Sequence, residues 1–136
     1  MANEAILVQI LADARLAQVT VLDNAGIEKG TIMKFNTDPN IAAASSADGD
    51  KFAGILAEEK VANDGQTEVA VWTHNAVFAL KVGASSTVVL GLHVSINGAN
   101  LIGDADVTTL TDFGEIVGKS METGSNSEVI QVRLGM

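Results

Sequence analysis

The chain has no cysteine, no tyrosine, one proline, one tryptophan and only 4% aromatic residues. Without cysteine there is no disulfide scaffold, no thiolate nucleophile and no cysteine-held metal. That composition suits folding in a reducing cytoplasm. Ligand clefts usually have aromatic walls, and this chain has few residues to build one. Long apolar runs are missing too, since none approaches the roughly 18 residues that span a bilayer. The first charged residue is Glu4, so the basic start of a signal peptide is absent and secretion is not expected. Basic charge is scarce: 8 Lys and Arg stand against 17 Asp and Glu, a formal net charge of -9. Such a surface repels phosphate, so neither nucleic acid nor an anionic membrane is an expected partner. It also favours solubility at high concentration.

What is present is a chain of 136 residues, 47% of them hydrophobic, with 13 glycines. That is one domain's worth, able to bury roughly 68–70% of its unfolded surface. Residues 1–18 stand apart. They hold neither Gly nor Pro, and their apolar residues fit helical spacing and strand alternation alike. An apolar terminus either packs on its own domain or docks on a partner. Residues 1–18 are therefore read as an extended N-terminal arm, and 19–136 as a single β-barrel-like domain.

From Val19 onward, short β-rich runs alternate with turn residues. Strands are predicted at Val19–Leu22, Thr31–Phe35, Phe52–Ala57, Glu68–Thr73, Val77–Val82, Val88–Ile96 (interrupted at Gly91), Glu115–Ser120 and Val129–Leu134. Asn97-Gly98 is the strongest hairpin signal, because both residues tolerate positive φ in a type I′ turn. The fold class is mostly β, a small barrel or sandwich.

The two halves echo each other. Gly91 follows Gly30 by 61 positions, Gly118 follows Gly54 by 64, and Glu128 follows Glu68 by 60, each within a similar apolar string. Three signals in one order predict a pseudo-duplicated β unit. The glycines are expected at bulges or close backbone approaches.

No catalytic constellation emerges, so an enzyme is not expected. His74 and His93 have no cysteine or His-x-Glu partner and read as half-exposed strand histidines. Asp104, Asp106, Asp112 and Glu115 match no calcium-loop spacing and read as a solvated acidic loop. Gly98 to Gly103 lacks the Lys and the helix of a phosphate loop. Trp72, on an alternating strand, reads as core. No cofactor or metal is implied.

The order Ala25-Gly26, Lys29-Gly30-Thr31-Ile32, Ala42-Ala43-Ala44, Phe52-Ala53-Gly54-Ile55 and Gly65 to Val71, then Val89-Leu90-Gly91, Val117 to Glu122 and Val129 to Val132, resembles the tailed-phage capsid decoration (head cement or stabilisation) proteins. The resemblance covers roughly residues 19 to 134. It implies a structural virion protein, commonly a homotrimer, made in the host cytoplasm. Such a protein binds the major capsid protein on the outer surface of an icosahedral phage head and stabilises the expanded shell. The arm suits this role. Ala2, Asn3, Glu4, Ala5, Ile6, Leu7, Val8, Gln9, Ile10 and Leu11 are the expected capsid-binding residues, by strand addition to a sheet edge.

Two other readings compete. A carbohydrate- or host-binding β module on a virion or cell surface needs exposed aromatics. A biotinyl- or lipoyl-type carrier needs a modifiable Lys at a hairpin tip, and Lys29 and Lys119 lack its flanking residues.

Overall fold

A computed structural model describes residues 3–105 and 110–135. The strands are β1 (Ile6–Thr20), β2 (Ile32–Thr37), β3 (Ile41–Ala44), β4 (Ala47–Asp48), β5 (Phe52–Leu56), β6 (Glu68–Val82), β7 (Thr87–Val88), β8 (His93–Gly98), β9 (Leu101–Asp104), β10 (Ile116–Ser120), β11 (Gly124–Ser125) and β12 (Val129–Leu134). One short 3-10 turn, Leu110–Glu115, precedes β10.

Hydrogen bonding closes the strands into two five-membered rings that share β6. In the first, β1 pairs β3, β3 pairs β2, β2 pairs β5, β5 pairs β6, and β6 returns to β1. In the second, β6 pairs β9, β9 pairs β8, β8 pairs β10, β10 pairs β12, and β12 returns to β6. The only parallel contact in each ring is the equivalent one, β1–β3 and β6–β9. Closure of this kind removes most free sheet edges.

The rings are copies. Add 61 to each pair from Leu16 to Thr20 of the β1–β6 ladder and the β6–β12 ladder results. Leu16↔Trp72 becomes Val77↔Arg133, Ala17↔Val71 becomes Phe78↔Val132, and Thr20↔Glu68 becomes Lys81↔Val129. The backbone bond from Gly30 to Leu56 returns as Gly91 to Ser120. The isolated bridge Ile27↔Lys60 returns as Val88↔Gly124. The offset runs from 60 (Ile41 to Leu101) to 64 (Gly54 to Gly118), so the second copy carries four extra residues between β9 and β10. The expected match of Glu68 with Glu128 is one residue out, because the ladder sets Glu68 against Val129. In a strand such a slip exchanges the two faces.

The cores follow the same rule. One buried cluster holds Val19, Val21, Ile27, Met33, Ala42, Val69 and Val71. Their equivalents Leu80, Val82, Val88, Val94, Ile102, Ile130 and Val132 lie in the other. Each such side chain contributes about 1.5–3 kcal/mol when fully buried. β12 alternates strictly, with Ile130, Val132 and Leu134 inward and Val129, Gln131 and Arg133 outward.

Gly54 and Gly118 sit at equivalent points of β5 and β10, each beside a register shift. A side chain on Gly54 would begin 2.6 Å from Val71 Cγ2, and one on Gly118 would strike the Arg133 carbonyl. The expected close approaches are therefore present.

Most predicted strands match. Glu68–Thr73 and Val77–Val82, however, form one strand, β6, because β1 pairs with it from Glu68 to Ala79 and so bridges the two predicted runs. Val19–Leu22 is the end of β1, which stops at Thr20. The Ala-rich β3 was not expected, because alanine is a poor strand former. The Asn97-Gly98 hairpin exists, but β8 runs through both residues and the reversal falls at Ala99-Asn100. Asn100 takes the positive φ (56°), as does its equivalent Asn40 (57°). Tertiary bonding selects that position. Asn100 is buried, its Oδ1 accepts the Ile32 N–H at 2.8 Å, and its own N–H donates to Ser45 Oγ at 3.1 Å.

Candidate functional site

The N-terminal stretch is a strand, lying antiparallel along β6 from Ile6↔Ala79 to Thr20↔Glu68 with bulges between. Its other edge meets β3 only at Thr20. Among the described residues, the backbone from Ile6 to Val19 has no second strand beside it. A long unpaired edge is a template for another strand. This one is apolar: Ile6, Leu7, Val8, Ile10 and Leu16 are exposed, Ile6 by 67%.

The residues expected to bind a capsid divide by location. Ala2 lies outside the described residues. Asn3 Oδ1 accepts from Lys81 Nζ at 3.4 Å, and Glu4 is half-buried. Ala5 is buried in the core of the second ring. Ile6, Leu7, Val8, Gln9 and Ile10 are exposed, and Leu11 is half-buried.

The start of β1 is fastened to the first ring. The Ala5 N–H donates to the Gly30 carbonyl at 2.7 Å, and the Gly30 N–H donates to Leu56 at 2.9 Å. Gly30 has φ +89°, and a side chain there would begin 2.6 Å from the Ala5 carbonyl oxygen. Leu7 faces a small cavity with Trp72 and Phe78. Trp72 packs half-buried against the core, as the sequence predicts, so it is not an exposed stacking platform.

Nearby loops are tied by Lys60, whose side chain is fully buried. Its ammonium donates to Asp64 Oδ1 at 2.7 Å, Asp23 Oδ1 at 3.0 Å and the Val61 carbonyl at 2.6 Å. Burial pushes the Lys60 pKa down, but the Asp64 and Asp23 carboxylates outweigh it and hold it above the ordinary lysine value. The Lys60 hydrogen bond, then the Gln66 N–H, hold Asp64 below the ordinary carboxylate range. At Asp50 burial pushes upward. The N–H groups of Ser46 and Ala47, with Lys34, overcome it and lower the pKa. Nothing in the sequence marks Lys60 as buried, since its repeat equivalent is Gly124.

His74 and His93 are half-buried strand residues, as expected, and both line one concavity. His74 Nδ1 lies 2.9 Å from Thr73 Oγ1. Of the acidic group, Asp104 is exposed and Glu115 pairs with Lys51 at 3.2 Å. Asp106 and the Asp112 side chain lie outside the described residues. Among the described residues, no group of three His, Asp or Glu could hold a metal ion.

No protein-family model matches this sequence, and no curated protein matches it. Among solved structures, the chain is similar to the head fiber gp8.5 N base in bacteriophage phi29. The likeness has a TM-score of 0.50 and covers 90% of this chain and 94% of that one. At 11% sequence identity, what the two chains share is a fold.

Proposed function

We propose that this protein is a structural component of a tailed-phage head, seated on the outer surface of the shell. It binds the major capsid protein through β1 and stabilises the expanded capsid, as a homotrimer. The observation that carries this reading is the bare apolar edge of β1, held rigid by β6 on its other side. Strand addition there draws affinity from main-chain bonds and specificity from alternate side chains. A preformed edge costs less to order on binding than a free arm. Three edges in one trimer raise avidity by about 10²–10⁴. The fold shared with the phi29 head fiber base supports a virion role, as does an acidic surface suited to high copy number.

Co-sedimentation with expanded, undecorated phage heads tests it. The full chain is expected to pellet with heads, and an Ile6→Asp/Ile10→Asp variant to stay in the supernatant while keeping its circular dichroism spectrum. Equal binding by the folded variant would remove β1 from the contact. Failure of the full chain on every head in a panel would overturn the virion reading.

A further inference from the structure

The duplicated rings expose a difference between equivalent faces. In the first ring Ile32 pairs with Ile55, and Ile55 with Trp72, on the outward side of β2, β5 and β6. That row is apolar because the second ring packs on it: Ile32 and Ile55 are fully buried in the second ring's core. In the second ring the same positions (32 + 61, 55 + 64, 72 + 61) hold His93, Lys119 and Arg133. Lys119 stands directly opposite both neighbours across the β10–β8 and β10–β12 ladders.

Like charges directly opposite each other in a ladder are destabilising. The chain has 17 acidic residues against 8 Lys and Arg, so partners for this row are not in short supply. Three other lysines are paired: Lys34 with Asp50, Lys51 with Glu115, and Lys60 with Asp23 and Asp64. Among the described residues, no carboxylate lies within ion-pair distance of Lys119 or Arg133. The row lines a concavity of about 570 Å³ together with His74, Asn75, Leu134 and Gly135, and none of its lining residues is acidic.

We propose that this concavity is a docking site for an acidic polypeptide segment, with carboxylates held between Lys119 and Arg133 and hydrogen-bonded by the flanking histidines. Arg133 supplies the planar fork that matches a carboxylate, and Lys119 a mobile point charge. The repeat supplies the reason for the place. This is the face on which the first ring seats its neighbour, rewritten from apolar to cationic. A long nucleic acid does not fit, because its run of phosphates would meet only two cations here, Lys119 and Arg133, whereas a short acidic segment needs no more. The inference rests on the row alone and stands apart from the capsid reading.

The test is titration of the full-length, ¹⁵N-labelled protein with end-blocked tetraglutamate, followed by amide chemical shifts at constant ionic strength. Tetralysine and inorganic phosphate serve as parallel arms. Tetraglutamate is expected to move the amides around His74, His93, Lys119 and Arg133, and tetralysine to leave them in place. A Lys119→Gln/Arg133→Gln variant, altered only at exposed positions, should bind about tenfold more weakly, the worth of two exposed ion pairs. Unchanged affinity in the variant, or shifts elsewhere, would overturn the site. Shifts at these amides with phosphate but not tetraglutamate would make it a small-anion site and overturn the peptide assignment.

Discussion

Gly30 and Gly91 occupy the same place in the two copies, yet only Gly30 is covered: the Ala5 carbonyl oxygen lies 2.6 Å from where its side chain would begin, while nothing lies within 4 Å of that point at Gly91. Both have left-handed backbones, at φ +89° and +85°. Replacing either with Ala costs about 1–2 kcal/mol for conformation. At Gly30 the collision with β1 adds roughly 1–3 kcal/mol. Urea denaturation of Gly30→Ala and Gly91→Ala should therefore give unequal losses, the larger at Gly30. Equal losses would mean that Ala5 does not fasten β1 to the first ring.

Asn100→Ala removes the acceptor of the buried Ile32 N–H, which lies 2.8 Å from Oδ1. An unsatisfied buried donor costs about 1–3 kcal/mol. The substitution also places alanine at φ 56°. The expected result is a lower urea midpoint with an unchanged m-value. An Asn40→Ala control, at the exposed equivalent, should lose less.

Leu80 is buried where β6 belongs to the second ring, opposite Ile130. Leu80→Ala should cost about 2–5 kcal/mol. Because β6 closes both rings, the loss should appear in one cooperative transition. Trp72 fluorescence, reporting the first ring's wall, and far-ultraviolet circular dichroism should then give coincident curves. Separate transitions would show that the rings unfold independently.

Acid should weaken the protein through Asp64 and Asp50. Both carboxyls are held below their ordinary range in the fold. A lowered folded pKa gives stability that is present above the unfolded value, about 3.9, and lost as pH falls through the folded one. Lys60 is raised, so its contribution holds through neutral pH and disappears only as pH rises through its folded pKa. Urea midpoints should fall below about pH 4. In a Lys60→Met variant the midpoint should be lower at pH 7, and the further acid loss due to Asp64 should shrink.

Much of the fold was legible because strand burial is local in origin. Val129 to Leu134 alternates apolar and polar residues, and the strand follows that period. The repeat was legible in three glycine-centred or acidic strings, and the ladders supply the true register, one residue away from the Glu68–Glu128 match. The N-terminal stretch was not legible as helix or strand, since its apolar residues fit both periods. Pairing with β6 settles it, and no feature of residues 1–18 alone encodes that partner. Nor did Asn97-Gly98 specify its own turn, because a buried amide two residues later bonds into the other ring.

By itself the sequence determined a mostly-β chain with duplicated strands, an acidic surface, and chemistry without cysteine. Those properties depend on composition and short-range period. Only the tertiary structure decided which equivalent surfaces are buried. Ile32 and Ile55 are buried beneath the second ring with Trp72 half-buried beside them, while Lys119 and Arg133 are exposed and His93 is half-buried. One edge of β1 is covered and the other left bare. The physical reason is that a duplicated chain places like faces in unlike surroundings. The first copy has the second to bury against, and among the described residues the equivalent face of the second copy has no such neighbour.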